Sequence, residues 1–249
     1  MRIEQVSESV YAVAGTNVNW ALVTGESGVT VVDAGYPADA HDVLASVRQI
    51  GHDIADIAAV LLTHAHLDHM GGIPLLVEKV GMPVYTGAAE VPHAHRDFQQ
   101  QITPVEMLEQ LFVPGGAKWV MQTVWAVKSG LITKVPTATA VEDSVLAALP
   151  GGFTAIPTPG HTIGHTSYLM PSEKVLFSGD TLVTGHPIVA HDGPQVLPTV
   201  FNHDEEGART AARSLAAYDA EILVPGHGRV ARQPVAVLAN SLLQEREPE

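Results

Sequence analysis

The stretch Ile57-Ala58-Ala59-Val60-Leu61-Leu62-Thr63-His64-Ala65-His66-Leu67-Asp68-His69 decides how the rest of the chain is read. Its first six residues form a short apolar run, which suits a strand buried on both faces. Four residues of metal-ligand type then fall within six positions, where such a strand leaves its sheet. Along extended backbone, residues two apart point to the same side, so His64 and His66 can grip one cation together. Asp68 and His69 are neighbours and diverge, so a loop or helix entry must aim them, an arrangement that suits a second ion. A competing reading makes Asp68 the cap of a helix entered through Gly71, Gly72 and Pro74, with the histidines as polar loop residues. Imidazole and carboxylate at this density favour a borderline divalent ion.

Three later segments repeat the arrangement. Thr158-Pro159-Gly160-His161-Thr162 follows an apolar stretch at 153–156, Phe177-Ser178-Gly179-Asp180-Thr181 follows Lys174-Val175-Leu176, and Val224-Pro225-Gly226-His227-Gly228 follows Ile222-Leu223. Each is a short strand, a turn carrying glycine, and one ligand-type residue. Taken singly, each is an ordinary turn with a polar tip. Four in one chain point to a shared site.

The set HAHLDH, PGHT, SGDT and PGHG, in this order, resembles the metallo-β-lactamase superfamily, including its glyoxalase II-like and lactonase-like hydrolases. Val31-Val32-Asp33-Ala34-Gly35 resembles the strand-and-aspartate element that precedes the histidine cluster in that family. The resemblance implies an α/β fold, a four-layered αβ/βα sandwich with the metals in the cleft between two mixed sheets. It implies that His64, His66 and His161 hold one metal, that Asp68, His69 and His227 hold the other, and that Asp180 bridges them. Asp33 is then structural rather than a ligand, and Asp68 and Asp180 are the candidate catalytic residues. True β-lactamases of the superfamily usually lack the bridging aspartate, so Asp180 argues against antibiotic hydrolysis.

The implied cofactor is two Zn²⁺, with iron or manganese as alternatives, because ligand type alone does not choose the metal. A hydroxide bridging two zinc ions would cleave an ester, thioester or lactone carbonyl. An iron-dependent persulfide dioxygenase-like oxidoreductase, a β-lactam hydrolase and a non-catalytic metal-binding member are the alternative readings. Glyoxalase II enzymes carry a helical carboxy-terminal region that helps bind glutathione, whereas 22 residues follow His227 here, which argues against a glutathione thioester.

Composition narrows the setting. The 249 residues include no cysteine, so a disulfide framework, a thiolate metal site and a cysteine nucleophile are all excluded. The formal charge of −14 repels phosphate backbones. The expected partner is therefore a small-molecule substrate, with no nucleic acid and no membrane, and a homodimer is left open. The amino terminus lacks the apolar core of a signal peptide and no apolar run approaches the roughly 20 residues of a membrane span. A cytoplasmic protein is expected.

Strands are predicted near residues 10–13, 20–24, 29–33, 57–62, 153–157, 166–170, 174–177 and 221–224, and helices over 37–50 and 204–218. Asn202 with Glu205 reads as the cap of the second helix. The order strands, helix, strand thus appears twice, as two similar halves. Residues 1–249 are expected to form one domain with a variable helical insertion at about 93–140. Within it Thr103-Pro104-Val105-Glu106 is a helix start, and Trp119, Val120, Val124 and Val127 suit a second helix. This insertion is either core or dimer surface, or a lid over the metals. The tail at 245–249 looks frayed.

Of the 13 histidines, five are claimed as ligands. His165 is read either as supporting the metal ligands or as structural. His41, His52, His93, His95, His186, His191 and His203 are expected at solvated or hydrogen-bonded surface positions, so that replacing His93 by alanine should be close to neutral.

Overall fold

Successive side chains of β3 (Asn19–Gly25) and β4 (Gly28–Val32) face two different cores, as the two-residue period of a strand requires. Trp20, Leu22, Val29 and Val31 pack with Val43, Leu44 and Val47 of helix α1 (Ala40–Gln49). Ala21, Val23 and Val32 turn the other way, toward Tyr168 and Phe177. This computed structural model describes residues 1–128 and 130–242; the tail expected to fray lies outside them.

The first sheet has seven strands in chain order: β1 (Arg2–Gln5), β2 (Val10–Ala14), β3, β4, β5 (Ile57–Leu61), β6 (Val84–Thr86) and β7 (Ala138–Ala140). Pairing is antiparallel from β1 to β4 and parallel from β4 to β7. Parallel neighbours need crossover connections, and these carry α1, then α2 (Leu67–Met70) and α3 (Ile73–Val80), then α4 (Val91–His95), α5 (Pro104–Glu109) and α6 (Gly116–Val127). After α7 (Asp143–Ala148) the second sheet follows, formed by β8 (Thr154–Pro157), β9 (Thr166–Met170), β10 (Val175–Gly179) and β11 (Ile222–Pro225) in the order β11-β10-β9-β8. Its inner face sends Tyr168, Met170, Val175 and Phe177 to the core between the sheets. Its outer face sends Leu169, Leu176 and Leu223 to a third core with α8 (Glu205–Ser214) and α9 (Val235–Ser241). Helix, sheet, sheet and helix layers result, the αβ/βα sandwich expected from the sequence.

The two halves are less alike than the sequence suggests, with seven strands against four among the described residues. The strands missed are β1, β6 and β7, of four, three and three residues, too short for alternation to register. The cap of α8 is also different: Asp204, not Asn202, accepts the Gly207 N–H at 3.0 Å. Asn202 instead gives its amide to the Glu205 carboxylate at 2.8 Å and leaves its oxygen for another partner.

The 93–140 segment is largely helical, as expected, and its end joins the first sheet as edge strand β7. The Thr103 cap forms with Glu106 as the sequence predicts. Trp119, Val120 and Val127 of α6 point inward, while Val105, Leu108, Phe112, Met121 and Trp125 are exposed on its outer side. Among the described residues no helix is long and apolar enough to cross a membrane.

Candidate metal centre

All seven residues singled out from the sequence meet in the cleft between the sheets. Each sits where a strand or its following turn ends: His64 and His66 after β5, Asp68 and His69 within α2, His161 between β8 and β9, Asp180 directly after β10, and His227 after β11. His161 Nε2 lies 3.2 Å from His64 Nε2 and 3.0 Å from His66 Nδ1. Asp180 Oδ2 lies 3.3 Å from His161 Nε2 and 3.1 Å from His227 Nε2, and Asp180 Oδ1 lies 3.3 Å from His69 Nε2. Asp68 Oδ2 is 3.5 Å from His227 Nε2 and 3.8 Å from His69 Nε2. The groups His64/His66/His161, His64/His69/Asp180 and Asp68/His69/His227 each place their ligand atoms within 4.8 Å of one another.

The far nitrogen of every ring is already engaged. His69 Nδ1 meets Asp33 Oδ2 at 2.8 Å, His161 Nδ1 meets Asn202 Oδ1 at 3.0 Å, and His227 Nδ1 meets the Asn17 carbonyl at 2.7 Å. His64 Nδ1 meets Thr63 Oγ1 at 3.1 Å, and His66 Nε2 meets the Gln100 carbonyl. Acceptors at these positions place the proton on the outer nitrogen of each ring, leaving the inner nitrogen as a bare lone pair. Five lone pairs and two carboxylates then face one another in a largely buried cluster. His69 Nε2 and Asp180 Oδ1 have no hydrogen-bond partner at all among the described residues. Buried polar atoms are rarely left so, and divalent cations are the partners that suit this donor set. The residues fit the metals that the fold implies.

Electrostatics divide the cluster into two halves. Burial pushes the His64 and His66 rings well below the usual histidine range, and the neighbouring rings push further in the same direction. His161 is also lowered by burial. On the other side burial pulls His69 and His227 down, but the carboxylates around them, Asp180 foremost, outweigh it and raise both. Asp180 itself is driven up by burial and brought well below its ordinary value by His227 and His69. Asp68 keeps 17% of its side chain exposed and is the carboxylate of the cluster that meets solvent.

Supporting residues hold these groups from outside. Asp33, with φ of 59°, accepts the backbone N–H and the hydroxyl of Thr63, both at 2.8 Å, and so ties the ends of β4 and β5 while it orients His69. It touches His69 on the side away from the metals, as a structural residue should. His165 lies behind Asp180, accepting its N–H at 3.1 Å, and burial lowers its pKa to about 3, so it stays neutral. Gly226 is required by close approach: a Cβ there would lie 2.2 Å from Asp180 Oδ1 and 2.8 Å from the His69 ring.

Two histidines depart from the sequence expectation. His93 is fully buried, not at the surface, with Nδ1 2.7 Å from Glu90 Oε1 and Nε2 accepting the Gln100 N–H at 3.2 Å. These contacts make a costly rather than a neutral substitution the expectation there. His186 is half-buried beside the site, its ring 5.0 Å from that of His227, and burial lowers its pKa to about 3. Glu90 escaped the sequence reading altogether. Its buried carboxylate accepts Ala65 N–H at 2.7 Å, Thr162 hydroxyl at 2.8 Å and Gly164 N–H at 3.0 Å besides His93, and thereby joins the two loops that carry His64, His66 and His161. The Glu90–His93 spacing of three residues was visible, but nothing local marks it off from any helical pair.

A cavity of about 480 Å³ opens onto the cluster, with His66, Asp68, His161, Asp180 and His227 on its floor. Helices α5 and α6 supply Met107, Trp119, Thr123 and Val127 to its wall.

The model of the metallo-beta-lactamase superfamily matches residues 13–227, and the chain belongs to that superfamily. It is 28% identical over 219 residues to the probable metallo-hydrolase YflN of Bacillus subtilis, covering 80% of this chain and 74% of that protein. A hydroxyacylglutathione hydrolase of Bdellovibrio bacteriovorus is 30% identical over 164 residues, which make up 66% of this chain and 49% of its own length. Among solved structures, a Cronobacter sakazakii metallo-beta-lactamase with a HARLDQ motif superposes with a TM-score of 0.69 at 20% identity, over 98% of this chain and 92% of that one. That likeness shows the fold. The superfamily and these relatives are hydrolases, and the His/Asp cluster has the groups to bind metal.

Proposed function

We propose that this protein is a binuclear metal-dependent hydrolase of carboxylic esters, thioesters or lactones, acting on a small molecule. His64, His66 and His161 would hold one ion and Asp68, His69 and His227 the other, with Asp180 within reach of both sets. Zinc suits the nitrogen-rich set. Two such ions lower the pKa of a water and polarise a substrate carbonyl. The observation that carries this reading is the convergence of five inward ring nitrogens whose outer nitrogens are all hydrogen-bonded. Water's oxygen joins the carbonyl carbon, the bond to the leaving oxygen or sulfur breaks, and a proton passes to that atom. Asp68, on the cavity floor and partly exposed, is the carboxylate placed to carry that proton. Residues 1–249 are read as one catalytic unit with a helical insertion at 93–140 that walls the cavity.

Metal analysis of protein purified without added metal, coupled to a survey of carbonyl substrates with and without chelator, tests the reading. About two divalent ions per chain and chelator-sensitive hydrolysis are expected. About one iron per chain with oxygen uptake on a persulfide would overturn it.

A further inference from the structure

The cavity above the cluster differs in character from its floor. Met107 of α5, Trp119 and Val127 of α6, Leu131, Leu197 and Phe201 form a continuous apolar wall. The rings of Trp119 and Phe201 meet edge to face at 5.6 Å, Phe201 meets His186 at 5.1 Å, and His186 meets the ligand His227 at 5.0 Å. The aromatic surface thus runs unbroken from the insertion down to the centre. Polar lining away from the cluster comes from uncharged side chains, among them Gln99, Gln101, Thr103 and Thr123. No lysine or arginine lines the cavity among the described residues, and its one carboxylate outside the buried core of the site is Asp68. The volume of about 480 Å³ falls within the roughly 300–1,000 Å³ typical of small-molecule pockets.

We infer, on the reading that this centre is a hydrolase, that its substrate is an uncharged carbonyl compound with an apolar acyl arm, and that substrates bearing a carboxylate away from the scissile bond are rejected. A negative group at the far end of the arm would lie against a wall of Met107, Leu197 and Phe201 that offers uncharged donors only and, among the described residues, no cation to balance it. The cations implied at the floor lie at the opposite end of the arm and cannot serve it. An alkyl or aryl arm gains contact with the same wall at each added carbon. A glutathione thioester, the substrate type suggested by one relative's name, carries its carboxylates in the thiol portion far from the scissile bond and falls in the rejected class.

The test separates this inference from the hydrolase reading by measuring binding as well as turnover. Titration calorimetry on the metal-loaded protein with 2-hexanone, 2-octanone and 2-decanone, which cannot be hydrolysed, is expected to show affinity rising by up to about fourfold per methylene. 9-Oxodecanoate, the same length with a distal carboxylate, is expected to bind at least tenfold more weakly than 2-decanone. Met107→Lys should shrink that ratio severalfold. Equal or tighter binding of 9-oxodecanoate, affinity independent of chain length, or a ratio unmoved by Met107→Lys would overturn the inference. In parallel, turnover of alkyl-substituted lactones should exceed that of glutathione thioesters and benzylpenicillin by more than tenfold, and the reverse order would also overturn it. Failure to hydrolyse any carbonyl substrate would sink the hydrolase reading, while the ketone series would still decide the character of the cavity.

Discussion

Glu90 Oε1 and His93 Nδ1 lie 2.7 Å apart, and both side chains are completely buried. Glu90 receives four donors on two oxygens, from Ala65, His93, Thr162 and Gly164. Only a carboxylate can accept all four, because an amide would turn its own N–H groups against two of them.

Removing either partner should therefore be costly. We expect His93→Ala and Glu90→Gln each to destabilise the protein by about 2–3 kcal/mol or more, the cost of leaving buried polar groups unpaired. Urea titration, with an unchanged slope and a lowered midpoint, checks it. A wild-type midpoint in either variant would show that the network contributes nothing.

The same network predicts a pH signature. Burial raises the Glu90 carboxyl, and the bonds from His93, Ala65 and Thr162 outweigh it, leaving Glu90 below its ordinary value of 4.5. A depressed folded pKa contributes stability that is present above the unfolded value and is lost as pH falls through the folded one. Wild type should then lose stability progressively below about pH 4.5, and Glu90→Gln should lack that segment of the profile. Parallel acid-unfolding curves for the two would contradict it.

Metal removal should be visible in stability as well as in activity. His69 Nε2 and Asp180 Oδ1 face each other at 3.3 Å without a hydrogen bond of their own among the described residues, so an ion that satisfies both stabilises the folded state by mass action. At a hundredfold excess over Kd that is about 2.7 kcal/mol, or roughly 5–10 °C in Tm for a chain of this size. Calorimetry of chelated protein with zinc added back measures it, and an unmoved Tm would count against the site.

Asp180→Asn removes the negative charge that lies between both halves of the cluster. Turnover is expected to fall at least about a thousandfold, as several kcal/mol of charge stabilisation are lost. The circular dichroism spectrum should be unchanged, because Asp180 follows β10 rather than building it. Metal content should drop below the wild-type value. Full metal occupancy with wild-type turnover would remove Asp180 from the centre.

What the sequence made legible was the part of the site that is chemical and local. His64, His66, Asp68 and His69 are dense enough to be noticed, and each remaining ligand follows a short apolar run and a glycine turn. The partners that orient the rings were not legible, because they are ordinary polar groups brought in by tertiary contact. The Asn17 carbonyl reaches His227 across 210 positions, and the Gln100 carbonyl reaches His66 across 34. His93 was misplaced for a related reason: in Val91-Pro92-His93-Ala94-His95 nothing says which histidine turns inward until α4 is packed over Ala65 and Gln100. The layer order followed from the family resemblance and the repeated order strands, helix, strand, while β1, β6 and β7, of four, three and three residues, are too short to show a period.

Asn202 and Asp204 make a matched pair for a final test, because the capping role expected of Asn202 belongs to Asp204. Asn202 Oδ1 holds the outer nitrogen of His161 at 3.0 Å, and its amide is fixed by Leu197 O and Glu205, so the ring cannot turn without breaking that anchor. Partners of this kind typically change metal affinity 10- to 100-fold when removed. Asn202→Ala should therefore weaken metal binding by roughly that factor while leaving α8 intact, since its cap is Asp204. Asp204→Ala should do the opposite, costing about 1 kcal/mol of stability with metal affinity near wild type. Competition with a chromophoric chelator reads the first effect and urea unfolding the second. If Asn202→Ala lowered stability like a lost cap and left metal affinity unchanged, its assignment as the anchor of His161 would be wrong.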